Sequence, residues 1–187
     1  MSFLSIIQYG KELIKERVKD GDTVIDATCG NGYDSVFLAE LVGRYGKVFG
    51  FDIQEEAIIH TNQYLSEKKL NDRVQCIMDN HANIIKWINE PIQAAIFNLG
   101  YLPGSDKRVT TQGETTIQAL TSILGLLANN GIVVLIIYTG HDQGKEARII
   151  EKWLQNLSQK EFSVLKVSFI NQLHDAPYLL AVEKRSA

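Results

Sequence analysis

The chain has 187 residues, 45% hydrophobic and 22% charged, with a formal net charge of −3. That length suits one domain with a proper core, expected over residues 1–187, and the composition is that of an ordinary globular protein. There is no apolar run of membrane-spanning length, and the slightly acidic balance argues against non-specific coating of nucleic acid.

The N-terminus lacks a basic segment followed by a long apolar one, so a secretory signal is not expected. Cys29 and Cys76 are far apart and match no metal spacing, nor do the four histidines. These features point to the cytoplasm, with no membrane and no metal. Residues 3–19 carry Leu4, Ile7, Leu13, Ile14 and Val18 at helical spacing, which predicts an amphipathic helix over the core.

A strand over about 22–27 then runs into Asp26-Ala-Thr-Cys-Gly30-Asn31-Gly32-Tyr-Asp34. Two glycines spaced i, i+2 between a strand and a helical pattern (33–43) predict a turn that brings backbone close to a ligand. A second strand, 47–52, ends in Asp52, and a helix follows to about 69. A third strand, 73–78, is closed by Asp79-Asn80-His81, and Ile84, Ile85 and Ile88 suggest a short helix. The fourth strand, 93–97, leads into Asn98-Leu99-Gly-Tyr101-Leu-Pro-Gly104 and a polar loop. Helix 114–128, apolar strand 131–137, the loop holding Gly140 and His141, and helix 145–157 come next. Two consecutive strands, about 162–170 and 177–183, flank a loop with His174.

Alternating strands and helices imply an α/β, Rossmann-like doubly wound sheet. About seven strands are expected, mostly parallel, with a C-terminal antiparallel pair at one edge. In such a sheet the ligand crevice lies beyond the strand C-termini. Polar or glycine residues stand at all five of these ends. Asp52 lies about 20 residues beyond the glycine turn, where nucleotide binders place a carboxylate for ribose hydroxyls. A pyrophosphate would want a third glycine and a bare helix N-terminus. This chain has Ser35 there, with Asp34 and Asp26 adding negative charge. Two acids suit a ligand with a cationic centre and an ammonium group, such as S-adenosylmethionine.

These motifs, with Met78-Asp79-Asn80 and Asn98-Leu-Gly-Tyr-Leu-Pro, resemble those of class I S-adenosylmethionine-dependent methyltransferases. More narrowly, Asp-Ala-Thr-Cys-Gly-Asn-Gly-Tyr-Asp with Asn-Leu-Gly-Tyr-Leu-Pro-Gly-Ser-Asp-Lys107 resembles a small bacterial family labelled rRNA methylases. That family is associated with N-methylation of 5-aminomethyl-(2-thio)uridine at the tRNA wobble position. The resemblance implies that Gly30, Asn31 and Gly32 approach the cofactor's methionine part, and that Asp26 or Asp34 bonds to its ammonium, directly or through water. It implies Asp52 on the ribose with Gln54 beside it, Asn80 and His81 near the adenine, and Asn98 and Leu99 near the methyl group. Asn98 and Tyr101 would face the acceptor nitrogen and its base. Where amino-group methyltransferases commonly carry Asn/Asp-Pro-Pro-Tyr/Phe, this chain has Asn98-Leu-Gly-Tyr101, whose looser middle suits a flexible aliphatic amine. Lys107, Arg108, Lys145 and Arg148 are candidates for gripping tRNA, and His141 for lining the acceptor site. An rRNA or small-molecule amine acceptor stays open at this point, with an NAD-type oxidoreductase more distant.

Overall fold

The computed structural model describes residues 2–100, 110–140, 142–172 and 176–186. A seven-stranded sheet runs β3-β2-β1-β4-β5-β7-β6 through β1 (Thr23–Asp26), β2 (Lys47–Asp52), β3 (Val74–Met78), β4 (Ile92–Leu99), β5 (Leu127–Ile137), β6 (Phe162–Val167) and β7 (Tyr178–Lys184). The first five strands pair in parallel, and β7 is antiparallel to both β5 and β6. This is the predicted architecture. Strand order reverses between β1 and β4, so a crevice opens beyond the C-terminal ends of those two strands.

Helices α1 (Ile6–Lys15), α2 (Tyr33–Val42) and α3 (Glu55–Lys68) cover one face. Their side chains Ile14, Leu38 and Leu65 share one core cluster with Val24, Val48, Ile96 and Val134 of the sheet. Helices α4 (Gly113–Leu126) and α5 (Lys145–Leu154), with a 3₁₀ turn at His81–Lys86, cover the other. There Ile25, Phe51, Phe97 and Leu135 pack with Leu120, Ile123, Ile150 and Ile84. The central parts of β1 (24–25), β4 (94–97) and β5 (132–137) are apolar because both faces are covered.

Several boundaries differ from the sequence reading. β4 runs two residues past Phe97, because Asn98 and Leu99 pair with Ile136 and Ile137 of β5. α4 stops at Leu126, and β5 begins at once, with Leu127 opposite Ile92. The segment before Ile132 bulges out of register, with Asn130 at φ 62°. β6 ends at Val167 rather than near 170. The expected first helix begins only at Ile6, where Ser5 Oγ accepts the Gln8 N–H and the Gln8 side chain accepts the Ser5 N–H.

Gly10 sets the distance of α1 from the sheet. It lies between buried Ile6 and Ile14 on the helix face turned to β5 and β7. A Cβ there would stand 2.9 Å from Val134 Cγ1 and 3.0 Å from Leu179 Cδ1. The bare glycine therefore lets the helix lie close enough to bring its next residue, Lys11, to the crevice. Gly10→Val should lower stability by about 1–3 kcal/mol through overpacking. Urea denaturation that leaves the midpoint unchanged would show that the helix is not pressed against the strands.

Candidate active site

At the end of β1, Asp26 is fully buried. Its Oδ2 accepts from Ser35 Oγ at 2.6 Å and its Oδ1 from the Thr28 N–H at 3.2 Å. Burial, and then the charge of Asp34, push this carboxyl upward from its ordinary value. The turn above it is closed by the Gly32 N–H on Cys29 O at 2.8 Å. Gly32 caps α2 at φ 81°, and a Cβ there would meet the Thr61 backbone at 3.0 Å. Only glycine fits that conformation and spacing.

The turn is also strapped to β2. The Cys29 N–H donates to Phe51 O at 2.9 Å. Asp52 Oδ2 accepts the Gly30 N–H at 3.0 Å, and Oδ1 accepts the Gln54 N–H at 3.0 Å. The carboxylate is thereby aimed while keeping lone pairs for a further donor.

At the end of β3, Asp79 accepts from Asn83 Nδ2, Trp87 Nε1 and the Asn80 N–H. The Trp87 and Asn83 bonds hold its carboxyl below the usual range. Asn80 Oδ1 caps the 3₁₀ turn through the Ala82 N–H at 2.8 Å. The His81 ring lies edge-on to Phe97, with Nδ1 3.3 Å from Ala27 O. As a donor to that carbonyl, Nδ1 carries the proton and Nε2 keeps its lone pair. Nε2 is buried without a protein partner among the described residues. Burial drives the imidazole down to about 4, so it is neutral near pH 7.

At the end of β4, the period of two sends Leu99 with Phe97 into the core, and Asn98 to the opposite face. There the Asn98 N–H donates to Thr28 Oγ1 at 2.8 Å, and Nδ2 donates to Asp34 Oδ2 at 2.5 Å. The other oxygen of Asp34 lies 2.7 Å from Lys11 Nζ. Tyr138, the first residue after β5, stands on the same wall. Burial and the Asp34 charge raise its hydroxyl above the ordinary phenol value.

These groups line one cleft of about 620 Å³, whose walls also include Cys29, Asn31, Ile53 and Thr110–Gln112. The strand order sets them in line. Asp52, Gln54, Asn80 and His81 stand toward β2 and β3, while Asn98, Asp34, Lys11 and Tyr138 stand toward β4 and β5.

Of the predicted cofactor residues, Gly30, Asn31, Asp34, Asp52, Gln54, Asn80, His81 and Asn98 meet on this wall. Three do not reach it. Asp26 lies beneath the turn, bonded to Ser35 and Thr28, so direct contact with a ligand ammonium is corrected to support of the turn. Gly32 shapes the turn from behind, and Leu99 is core, because strand alternation points it away from Asn98. Lys145 and Arg148 also lie off the cleft. Arg148 donates to Gln143 O at 2.9 Å beside a separate shallow depression. Tyr101, Lys107, Arg108, His141 and His174 lie outside the described residues. The sequence reading missed Lys11, Thr28 and Tyr138. The strand-end rule applied one residue past β5 would have found Tyr138, whereas Lys11 has no local signal.

The family model described as "Putative rRNA methylase" matches residues 48–183. The chain belongs to this family. A crystallised "putative rRNA-methylase" from Clostridium thermocellum is 46% identical, covers 98% of this chain and 100% of its own, and superposes at a TM-score of 0.96. A "putative methyltransferase" from Streptococcus mutans, crystallised in complex with SAH, is 36% identical over 98% of this chain and 99% of its own, with a TM-score of 0.90. The Arabidopsis thaliana protein named tRNA (mnm(5)s(2)U34)-methyltransferase, chloroplastic, is 33% identical over 179 residues. That alignment takes in 90% of this chain and 65% of the length of the relative.

His81 gives the site a pH signature. The unfolded imidazole takes its proton near pH 6.5 and the folded one only near 4. The unfolded state therefore binds more protons between those values, and stability present above pH 6.5 is lost as pH falls through 4. At pH 4 the loss amounts to roughly 3 kcal/mol, since each tenfold difference in proton affinity between the two states is worth about 1.4 kcal/mol. Urea midpoints of the wild type and His81→Gln, measured from pH 7 to 4, should diverge, with the wild type falling faster. Parallel curves would place His81 in water.

Proposed function

We propose that the chain is an S-adenosylmethionine-dependent N-methyltransferase acting on the aminomethyl group of 5-aminomethyl-(2-thio)uridine at the tRNA wobble position. The observation that carries the reading is the Asp34–Asn98 bond at the end of β4. A carboxylate only accepts, so the amide nitrogen of Asn98 must face Asp34, and Oδ1 is then the acceptor end of that amide. An amine N–H can donate to it and so aim the nitrogen lone pair. The named activity of the Arabidopsis relative, and the complex of the Streptococcus relative with the demethylated cofactor, support the same reading.

The cleft fits the cofactor by its own donors and acceptors. The Asp52 carboxylate, fixed by two backbone N–H groups, accepts from ribose hydroxyls. His81 Nε2 offers a buried acceptor beside Asn80, where an adenine amino group would be read. Gly30 and Asn31 present backbone for the methionine part. The bound cofactor supplies an electrophilic methyl on a sulfonium.

The protein's task is mainly placement. Asn98 aims the neutral amine, whose lone pair forms the N–C bond as the C–S bond breaks and its electron pair returns to sulfur. The resulting secondary ammonium releases one proton to water, so no dedicated base is needed. Tyr101 stacks on the uracil ring, and Lys107, Arg108, Lys145 and Arg148 meet the tRNA backbone.

Mass spectrometry of tRNA nucleosides from cells lacking the protein should show 5-aminomethyl-2-thiouridine accumulating and its methylated product gone. An unchanged tRNA profile, with a methyl lost from rRNA instead, would overturn the acceptor. Asp52→Ala should weaken S-adenosylhomocysteine binding by tenfold or more in calorimetry, consistent with a charge-assisted bond worth ~1.5–3 kcal/mol. Unchanged affinity would remove Asp52 from the ribose. Asn98→Ala should lower turnover at least tenfold with cofactor affinity within about twofold, the pattern of a bond made to the acceptor. Equal losses in both would make Asn98 a cofactor ligand instead.

A further inference from the structure

We infer that Lys11, on a helix outside the predicted site, is a positioning residue for the acceptor amine. It occupies Asp34, fixes Asn98 through it, and keeps the acceptor end of the cleft from protonating its own nucleophile. This rests on the proposed amine acceptor and adds a residue and a function to it.

The geometry is a chain of three side chains from three elements. Lys11 Nζ on α1 stands 2.7 Å from Asp34 Oδ1 at the start of α2, and Asp34 Oδ2 takes the Asn98 Nδ2 bond at the end of β4. Both members of the ion pair are largely buried, the Lys11 side chain 24% and the Asp34 side chain 11% exposed. Lys11 also lies over the Phe37 ring, 4.8 Å from its centre, which fixes the approach of the ammonium. Gly10 keeps α1 close enough to β5 and β7 for the reach.

Charge explains why a cation is needed. The groups around this end are Asp26 beneath the turn, Asp34, Asp52 across it and the Tyr138 phenol. The end of β3 adds Asp79 and neutral His81. On β7, which packs on α1, Glu183 is already paired with Arg17 at 3.1 Å. Among the described wall residues Lys11 is the one cation facing several acids. An alkyl amine next to a bare carboxylate is stabilised as its ammonium, which typically raises its pKa by about 1–3. An ammonium has no lone pair and cannot take a methyl. With Lys11 paired to Asp34 the charge of that nearest carboxylate is offset, and the amine beside Asn98 can enter neutral. The same pairing holds Asp34 still, so that Asn98 keeps one orientation.

The test compares Lys11→Met and Lys11→Arg with the wild type, as full-length protein on tRNA bearing 5-aminomethyluridine. Single-turnover rates are followed from pH 6 to 10. For Lys11→Met the rising limb should move to higher pH by about 1, with a rate roughly tenfold down near pH 7 and largely recovered at the alkaline plateau. Lys11→Arg, which keeps the charge, should stay within about threefold of the wild type. A uniform loss at every pH, or no loss, overturns the charge role.

A second readout needs no methyl transfer. In the S-adenosylhomocysteine complex, the Asn98 side-chain amide resonances should shift or broaden in Lys11→Met, with cofactor affinity within about twofold. Unchanged resonances overturn the positioning role. A wild type that leaves this tRNA unmethylated, yet shows the resonance change in the variant, would refute the acceptor and keep the Lys11–Asp34–Asn98 chain.

Discussion

A carboxylate with no exposed surface at the end of a strand is costly unless its oxygens are bonded. Asp26 meets that condition with two donors, the Ser35 hydroxyl and the Thr28 N–H, from opposite sides of the glycine turn. Those bonds tie the end of β1 to the first turn of α2 across Cys29–Gly32. The backbone of the turn is then held again by Phe51 O and Asp52 on β2, and by His81 on Ala27 O. Almost everything a ligand would touch hangs from this knot. It also explains why Asp26 itself is withdrawn from the cleft: it lies fully buried beneath the turn that its bonds hold.

The acids that remain on the wall, Asp34, Asp52 and Asp79, give the cleft a negative field, answered among its described residues by Lys11 alone. Low-dielectric walls strengthen such a field. A cationic ligand is drawn in, and a phosphate is repelled. The proposed tRNA substrate is compatible with an acidic chain on these terms. Such a substrate would present a base, with its backbone kept at the rim. Arg148, beside its own depression, lies off the cleft.

The sheet was legible because alternating strands and helices with apolar central strands allow few topologies. Asp52 was legible because its distance from the glycine turn is set by one strand–helix–strand unit. The errors have local causes. Leu99 looked like a loop residue because Asn-Leu-Gly reads as a turn, yet pairing with Ile137 keeps it in the strand, and alternation turns it inward. Asp26 and Asp34 looked equivalent as acids flanking a turn. Only the fold shows that Ser35 holds one beneath the turn while the other stands on the cleft wall. Lys11 could not be read at all, since nothing within α1 distinguishes it from Lys15, whose partner is Glu12 on the same helix.

That contrast bears on how α1 is held. Its buried face is short, with glycine at its centre, so apolar area alone gives it modest docking energy. The Lys11–Asp34 pair adds a tie that an exposed pair such as Lys15–Glu12 cannot, because breaking it would leave a mostly buried carboxylate uncompensated. Docking of the helix and the charge state of the acceptor end are therefore one equilibrium. A change that loosens α1, even on its far face, unpairs Asp34 and releases Asn98, and a ligand that needs Asn98 oriented holds the helix down by the same free energy.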